Sequence, residues 1–199
     1  MYDWRKLTPE QRQEVLERRK AITHPWHSPP HQFLPGTRQY IVSAACYEHT
    51  DIIGYSEERM TEFSAQLFSA CSAHAEKVFA WCVLPNHYHV ALQTDAIKQL
   101  LRELGLMHGR TSFEWNGEEK SRGRQVWFNA VEREMRCNDH LWASVNYVHH
   151  NPVKHGYVDR WQDWEWSSAR SFLDEVGTER AAEIWRNYPV FEYGAGWDD

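Results

Sequence analysis

Cysteine is scarce: the chain of 199 residues has four, Cys46, Cys71, Cys82 and Cys137, with no CxxC pair and no regular framework. Such spacing speaks against a disulfide scaffold and a structural zinc site; it fits reduced thiols and a cytoplasmic location. Long apolar runs are missing too, so no helix is expected to span a bilayer. The start, Met1-Tyr2-Asp3-Trp4-Arg5-Lys6, has no apolar stretch behind its charges and does not read as a secretory signal. Nor is there an excess of positive charge. Lys and Arg number 22 against 28 Asp and Glu, net −6, which taken whole argues against a nucleic-acid partner. The deficit is local, however. Residues 174–199 carry seven acids and two arginines, while residues 98–136 hold eight bases against six acids. A basic surface is therefore permitted.

What the chain has in abundance is tryptophan, 11 residues, and histidine, 12. Most of the tryptophans are expected to be packing anchors; a few are free to serve as stacking platforms for bases. Thr8, Pro9 and Gln11 form a capping-box pattern for a polar helix over 9–20, followed by the proline-rich His24–His31. Residues 1–35 read as an N-terminal extension, 36–173 as the main domain, and 174–199 as an acidic tail with a short helix near Glu179–Trp185. Within the domain, Arg38–Cys46 reads as a strand with Tyr40, Val42, Ala44 and Cys46 on one face. Ser56 opens a helix carrying Met60, Phe63, Leu67 and Cys71 on one side. Lys77–Leu84 and His87–Gln93 form a hairpin around Pro85-Asn86. Asp95 caps a helix through Leu101, Leu104 and Met107 that ends at Gly109, and residues 109–124 read as a polar loop. Gln125–Glu132 is a further strand, and Asn138 caps a helix to about His150, closed by Asn151-Pro152. This order predicts an α+β sandwich, an antiparallel sheet with helices packed on one face.

His87-Tyr88-His89 carries the chemistry. On a strand the two imidazoles share a face and Tyr88 takes the other, so they form a bidentate platform for a metal. A solvated HxH pair on a strand is the plainer alternative. On the Asn138–His150 helix, Tyr147 lies well off the apolar stripe of Leu141, Val145 and Val148, and Asn151 and His150 share its side. Ala143 and Ser144 are small, leaving room for a bulky substrate; an interfacial tyrosine would look the same. Taken together, His87, His89 and the carbonyl oxygen of Asn151 would hold a divalent ion beside the Tyr147 hydroxyl, which attacks a phosphodiester. The resulting phosphotyrosine stores the bond energy, so rejoining needs no ATP.

Leu84-Pro85-Asn86-His87-Tyr88-His89, with Tyr147-Val148-His149-His150-Asn151-Pro152-Val153-Lys154-His155-Gly156, resembles the single-tyrosine HUH transposases, most closely the REP-associated tyrosine transposases. Asp163-Trp164-Glu165-Trp166-Ser167-Ser168 and the stretch around Val126-Trp127 add to the resemblance, which covers about residues 36–173. It implies a ferredoxin-like α+β fold, the HUH endonuclease fold. It also implies metal ligation by His87 and His89 with Asn151 in the third place, and Tyr147 as nucleophile. The implied cofactor is Mg²⁺ or Mn²⁺ and the implied partner single-stranded DNA folded into hairpins, handled by a monomer or homodimer. By the same resemblance, positively charged loops would recognise the DNA; the candidates are Arg110, Lys120, Arg122, Arg124 and Lys154, with Trp115 for base stacking. Two other functions fit the same residues: a DNA-hairpin-binding protein that keeps the fold without catalysis, and a metal-dependent hydrolase of small phosphoesters.

Overall fold

The computed structural model describes residues 8, 10, 36–190 and 193, so the expected N-terminal helix and the His24–His31 segment lie outside the described residues. Thr37–Tyr193 forms one compact unit, which takes in the first part of the acidic tail. Its sheet has four antiparallel strands, β1 (Arg38–Ala45), β2 (Lys77–Val83), β3 (His87–Thr94) and β4 (Val131–Met135), in the order β2-β3-β1-β4. The helices are α1 (Glu57–His74), α2 (Ile97–Glu118), α3 (Asn138–Lys154), α4 (Ala169–Val176) and α5 (Thr178–Asn187).

Strand alternation sorts the sheet into two unlike faces. Tyr40, Val42 and Ala44 of β1 and Tyr88, Val90 and Leu92 of β3 meet Met60, Phe63 and Leu67 of α1 and Leu100, Leu104 and Met107 of α2 in the main core. Each of these large side chains contributes roughly 1.5–3 kcal/mol by leaving water. Ser56 starts α1 by accepting the Arg59 amide at 3.2 Å. Arg59, 5% exposed, then ties α1 to the end of α2 through Glu118 and Glu119, both at 2.7 Å, and donates to the Ile52 carbonyl. These two helices occupy one face, but the expectation that the helices all pack on a single face does not hold, because the small side chains opposite admit a third. The opposite face carries α3, which packs on β2 and β3. Ser43, Ala80, Cys82 and Ala91 lie there beside His87 and His89, because register and alternation place them together. Their small side chains let a helix approach closely.

Four boundaries differ from expectation. Gly109 does not stop α2: the buried stripe runs on through Thr111 and Trp115, which outweighs the roughly 1 kcal/mol that a mid-helix glycine costs. The helix starts at Ile97 rather than under Asp95, with Thr94 Oγ1 accepting from the Ala96 amide at 2.8 Å. Helix α3 continues through Pro152 to Lys154, since a proline near the end of a helix loses only one hydrogen bond. The 125–132 strand is displaced to Val131–Met135. Trp127 keeps only a single bridge, to Cys46, because its ring stacks on His108 at 4.2 Å and its Nε1 donates to Thr111 Oγ1 at 3.0 Å. Finally, Asp163–Ser168 lines the outer edge of β2: Val83 N donates to Trp166 O, Ser168 N to Trp81 O, and Trp164 Nε1 to Val83 O. That covers backbone groups an open edge strand would expose.

Candidate metal and phosphodiester site

The site lies where β3 meets α3. His87 and His89 are both buried, with ring centroids 5.1 Å apart. Each uses its Nδ1 for a supporting bond. Asn86 donates its amide Nδ2 to the His49 carbonyl at 3.0 Å and to Asp51 Oδ1 at 2.9 Å, which turns Asn86 Oδ1 toward His87 Nδ1, 2.6 Å away. His87 Nδ1–H therefore donates to Asn86. Ser43, the cross-strand neighbour of His89, is hydrogen-bonded to His89 Nδ1 at 2.6 Å. Imidazoles oriented in this way through Nδ1 are characteristic of Nε2 metal ligation.

The decisive contact is 64 residues long in sequence: His87 Nε2 lies 3.0 Å from Asn151 Oδ1. With Nδ1–H given to Asn86, a neutral His87 presents a lone pair at Nε2, and the amide oxygen presents another. Two such atoms are joined by a shared proton or by a cation. Their separation is also that of neighbouring ligands each about 2.1 Å from one ion. The residues thus fit a divalent cation held by two imidazoles and an amide oxygen, a set that takes Mn²⁺ more readily than Mg²⁺. Among the described residues no three His, Cys, Asp or Glu side chains are grouped so as to hold an ion by themselves, and the Asn151 amide offers a third donor.

Tyr147, one turn before Asn151, packs its ring against His89 at 5.1 Å between centroids, and Lys154 places its ammonium 5.2 Å from the Tyr147 ring. His155, exposed just past the helix end, lies 5.0 Å from the His87 ring. The side of α3 that carries Tyr147 is more enclosed than the sequence suggests. Tyr147 is 1% exposed. The room beside Ser144 is taken by Tyr193, whose hydroxyl is hydrogen-bonded to Ser144 Oγ and whose ring sits 5.8 Å from that of Tyr147. His150 is not on this side: it stacks on Trp185 at 3.7 Å, across the helix. Burial lowers the pKa of His149 to about 3 and that of His150 to about 4, so both are neutral at pH 7.

The proposed DNA contacts fare unevenly. Trp115 is 5% exposed and wedged between Phe63 and Trp127, so it is a core residue and no stacking platform. Arg124 is engaged by Glu119 at 2.8 Å and by Asn116 Oδ1 at 2.9 Å, a brace for the turn after α2. Arg122 donates to the Phe113 carbonyl and lies over the Phe113 ring. Arg110 is exposed with a long 3.4 Å pair to Glu103, and Lys120 is exposed. All four belong to α2 or the turn after it, on the side of the sheet away from α3. Of the cations named, Lys154 alone is brought to the site. Ser43, Asn86 and Tyr193 complete it and were not singled out as site residues from sequence; Asn86 had a signal, its place in the turn just before His87.

No family model matches the chain. A curated protein of Haemophilus influenzae named as a REP-associated tyrosine transposase is 26% identical over 152 residues, covering 68% of this chain and 81% of its own length. A solved structure of a REP-associated tyrosine transposase bound to a REP hairpin superposes with a TM-score of 0.56, over 74% of this chain and 86% of that one. The chain resembles the REP-associated tyrosine transposases. The likeness in sequence and the likeness in fold point the same way. At 18% identity the structural match establishes the fold, the α+β arrangement of the HUH transposases with its antiparallel four-stranded sheet.

Proposed function

We propose that this protein nicks and rejoins single-stranded DNA beside hairpin-forming palindromes through a covalent tyrosine link. The observation that carries the reading is the convergence of His87 Nε2 and Asn151 Oδ1 at 3.0 Å beside the Tyr147 ring. A REP-associated relative and a relative bound to a REP hairpin supply the class of substrate. His87, His89 and Asn151 would hold Mg²⁺ or Mn²⁺. Held there, a divalent ion would supply Lewis-acid polarisation of the scissile phosphate and offset charge developing on its oxygens. The Tyr147 oxygen attacks phosphorus, forming a Tyr–O–P bond as the P–O3′ bond breaks. The phenolic proton leaves to solvent, and the departing oxygen becomes a 3′-hydroxyl by taking up one proton. Lys154 brings positive charge to the tyrosine and its phosphate, and the part-buried Asn86 and Ser43 contacts hold both imidazoles in one orientation. Attack by a 3′-hydroxyl on the phosphotyrosine reverses the step and joins the strands.

Incubating the full chain with a labelled hairpin bearing single-stranded flanks, with Mn²⁺ or Mg²⁺, is expected to give a denaturation-resistant adduct that Tyr147→Phe abolishes. An adduct surviving that substitution would assign the nucleophile elsewhere. The covered state of Tyr147 favours a second reading, a hairpin-binding protein that does not cut. Tight hairpin binding with no adduct under either ion would select it.

A further inference from the structure

Residues 46–55, which connect β1 to α1, fold around the Pro85-Asn86 turn that precedes His87. Cys46 N donates to the Asn86 carbonyl at 2.7 Å and Gly54 N to the Pro85 carbonyl at 2.9 Å. The approach is so close that a Cβ on Gly54 would collide with Pro85, so the position requires glycine. Glu48 and His49 stand in the left-handed region, at φ 53° and 51°, backbone that residues with a Cβ rarely adopt and that persists where the surroundings impose it. From there the His49 carbonyl reaches the Asn86 side chain. The effect on the Asn86 amide is exclusive. Its Nδ2 carries two protons, and both are taken: one by the His49 carbonyl at 3.0 Å, the other by Asp51 Oδ1 at 2.9 Å. Turning the amide over would break both bonds and set its oxygen against two acceptors, which leaves Oδ1 to face His87 Nδ1.

We infer that Asp51 is a positioning residue for the divalent ion assigned to His87, His89 and Asn151, acting through Asn86 by fixing which ring nitrogen of His87 carries the proton. The inference rests on that assignment of ligands. Asp51 lies 36 residues before His87 and belongs to none of the motifs that mark the site. With Asp51 in place the proton is held on Nδ1, and Nε2 keeps the lone pair that faces Asn151 Oδ1 at 3.0 Å. Without it, one amide proton of Asn86 loses its acceptor and the reversed amide competes. Nδ2 then points at His87 Nδ1, which turns acceptor, and the proton moves to Nε2 and closes that atom to an ion. Apparent affinity falls with the fraction of molecules left in the competent form, so a tenfold loss corresponds to a competent fraction of about one tenth. Asp51 is exposed, so replacing it leaves the core intact. Its carboxylate also carries charge, and the test separates orientation from attraction.

The full chain is titrated with Mn²⁺, binding being read from the free-ion electron paramagnetic resonance signal and the His87 proton from ring ¹⁵N chemical shifts before metal is added. Asp51→Ala is expected to bind Mn²⁺ about tenfold more weakly, the low end for a residue that supports a ligand. Its His87 shifts should move from the Nδ1–H form toward Nε2–H, with unchanged circular dichroism. Asp51→Asn removes the charge and keeps an acceptor oxygen, so it should stay close to wild type in both measurements. In an Asn86→Ala background, Asp51→Ala should have no further effect on affinity, because the residue through which it acts is gone. Asp51→Ala binding Mn²⁺ as wild type does would overturn the inference. So would Asp51→Asn as weak as Asp51→Ala, or an equal loss from Asp51→Ala in both backgrounds, either of which would mean that the carboxylate attracts the ion by charge alone. A wild type that binds no Mn²⁺ would defeat the ligand assignment, and the ring shifts would still decide the role of Asp51: an Nδ1–H form kept in Asp51→Ala overturns it, and one lost upholds it.

Discussion

Ser43→Ala isolates the metal reading from the DNA chemistry. Ser43 Oγ holds His89 Nδ1 at 2.6 Å from the adjacent strand, and the substitution removes one oxygen from a partly buried position without altering the sheet. Nothing in the set of ligating atoms changes; the loss is of orientation. Supporting bonds of this kind change metal affinity by 10- to 100-fold, or about 1.4–2.7 kcal/mol. The hydroxyl also satisfies a nitrogen on a buried ring, so the metal-free protein should lose about 1–3 kcal/mol of stability. Titration with Mn²⁺, followed by the loss of the free-ion electron paramagnetic resonance signal, measures the first quantity; urea unfolding without metal measures the second. A Ser43→Ala protein that binds Mn²⁺ as wild type does, or Mn²⁺ binding that persists in a His87→Ala/His89→Ala variant, would refute the assignment of the ion to these imidazoles.

Other outcomes follow from the same geometry. Tyr193→Ala should uncover Tyr147 and raise the initial rate of adduct formation without changing hairpin affinity; an unchanged rate would mean that Tyr193 does not limit access. Arg59→Ala should cost about 2–4 kcal/mol in urea unfolding, because it strips a buried cation from Glu118, Glu119 and the Ile52 carbonyl while both acids keep some solvent. His108 is held at a pKa of about 4 by burial against an ordinary 6.5, so the unfolded chain takes up its proton first as pH falls. This group leaves stability unaffected above about 6.5, removes it progressively between about 6.5 and 4, and accounts for roughly 3 kcal/mol in all. Replacing it with glutamine should flatten that part of the stability profile.

Strands β1 to β3 were readable from sequence because their signals are local, whereas β4 was expected several residues too early. The alternation of Tyr40, Val42 and Ala44, the Pro85-Asn86 turn and the period of two across His87 and His89 do not depend on what packs nearby. The pairing of HxH with a tyrosine 58 residues later was legible as a motif resemblance, and the fold brings the two together. What stayed hidden is set by long-range register. Ser43 meets His89 only because β1 and β3 pair as they do, and Trp115 is unavailable only because Phe63 and Trp127 close around it. The enclosure of Tyr147 has the same origin. A helical projection shows which residues share a side, but not that a tyrosine 46 positions further on occupies the space beside it. Gly109 was misread as a helix end because a glycine yields to a buried stripe that continues past it.

The contact between His87 and Asn151 bridges a strand and a helix that share no nearby covalent connection, and this has a thermodynamic consequence. An ion drawing both donors together would act as a rivet, and its binding free energy would also count toward seating α3 on the sheet. By linkage, anything that lifts the helix, a strained DNA strand included, loosens the grip on the ion by the same factor. Metal occupancy and helix seating are then two readouts of one equilibrium: saturating Mn²⁺ should slow amide hydrogen exchange in α3 more than in α1.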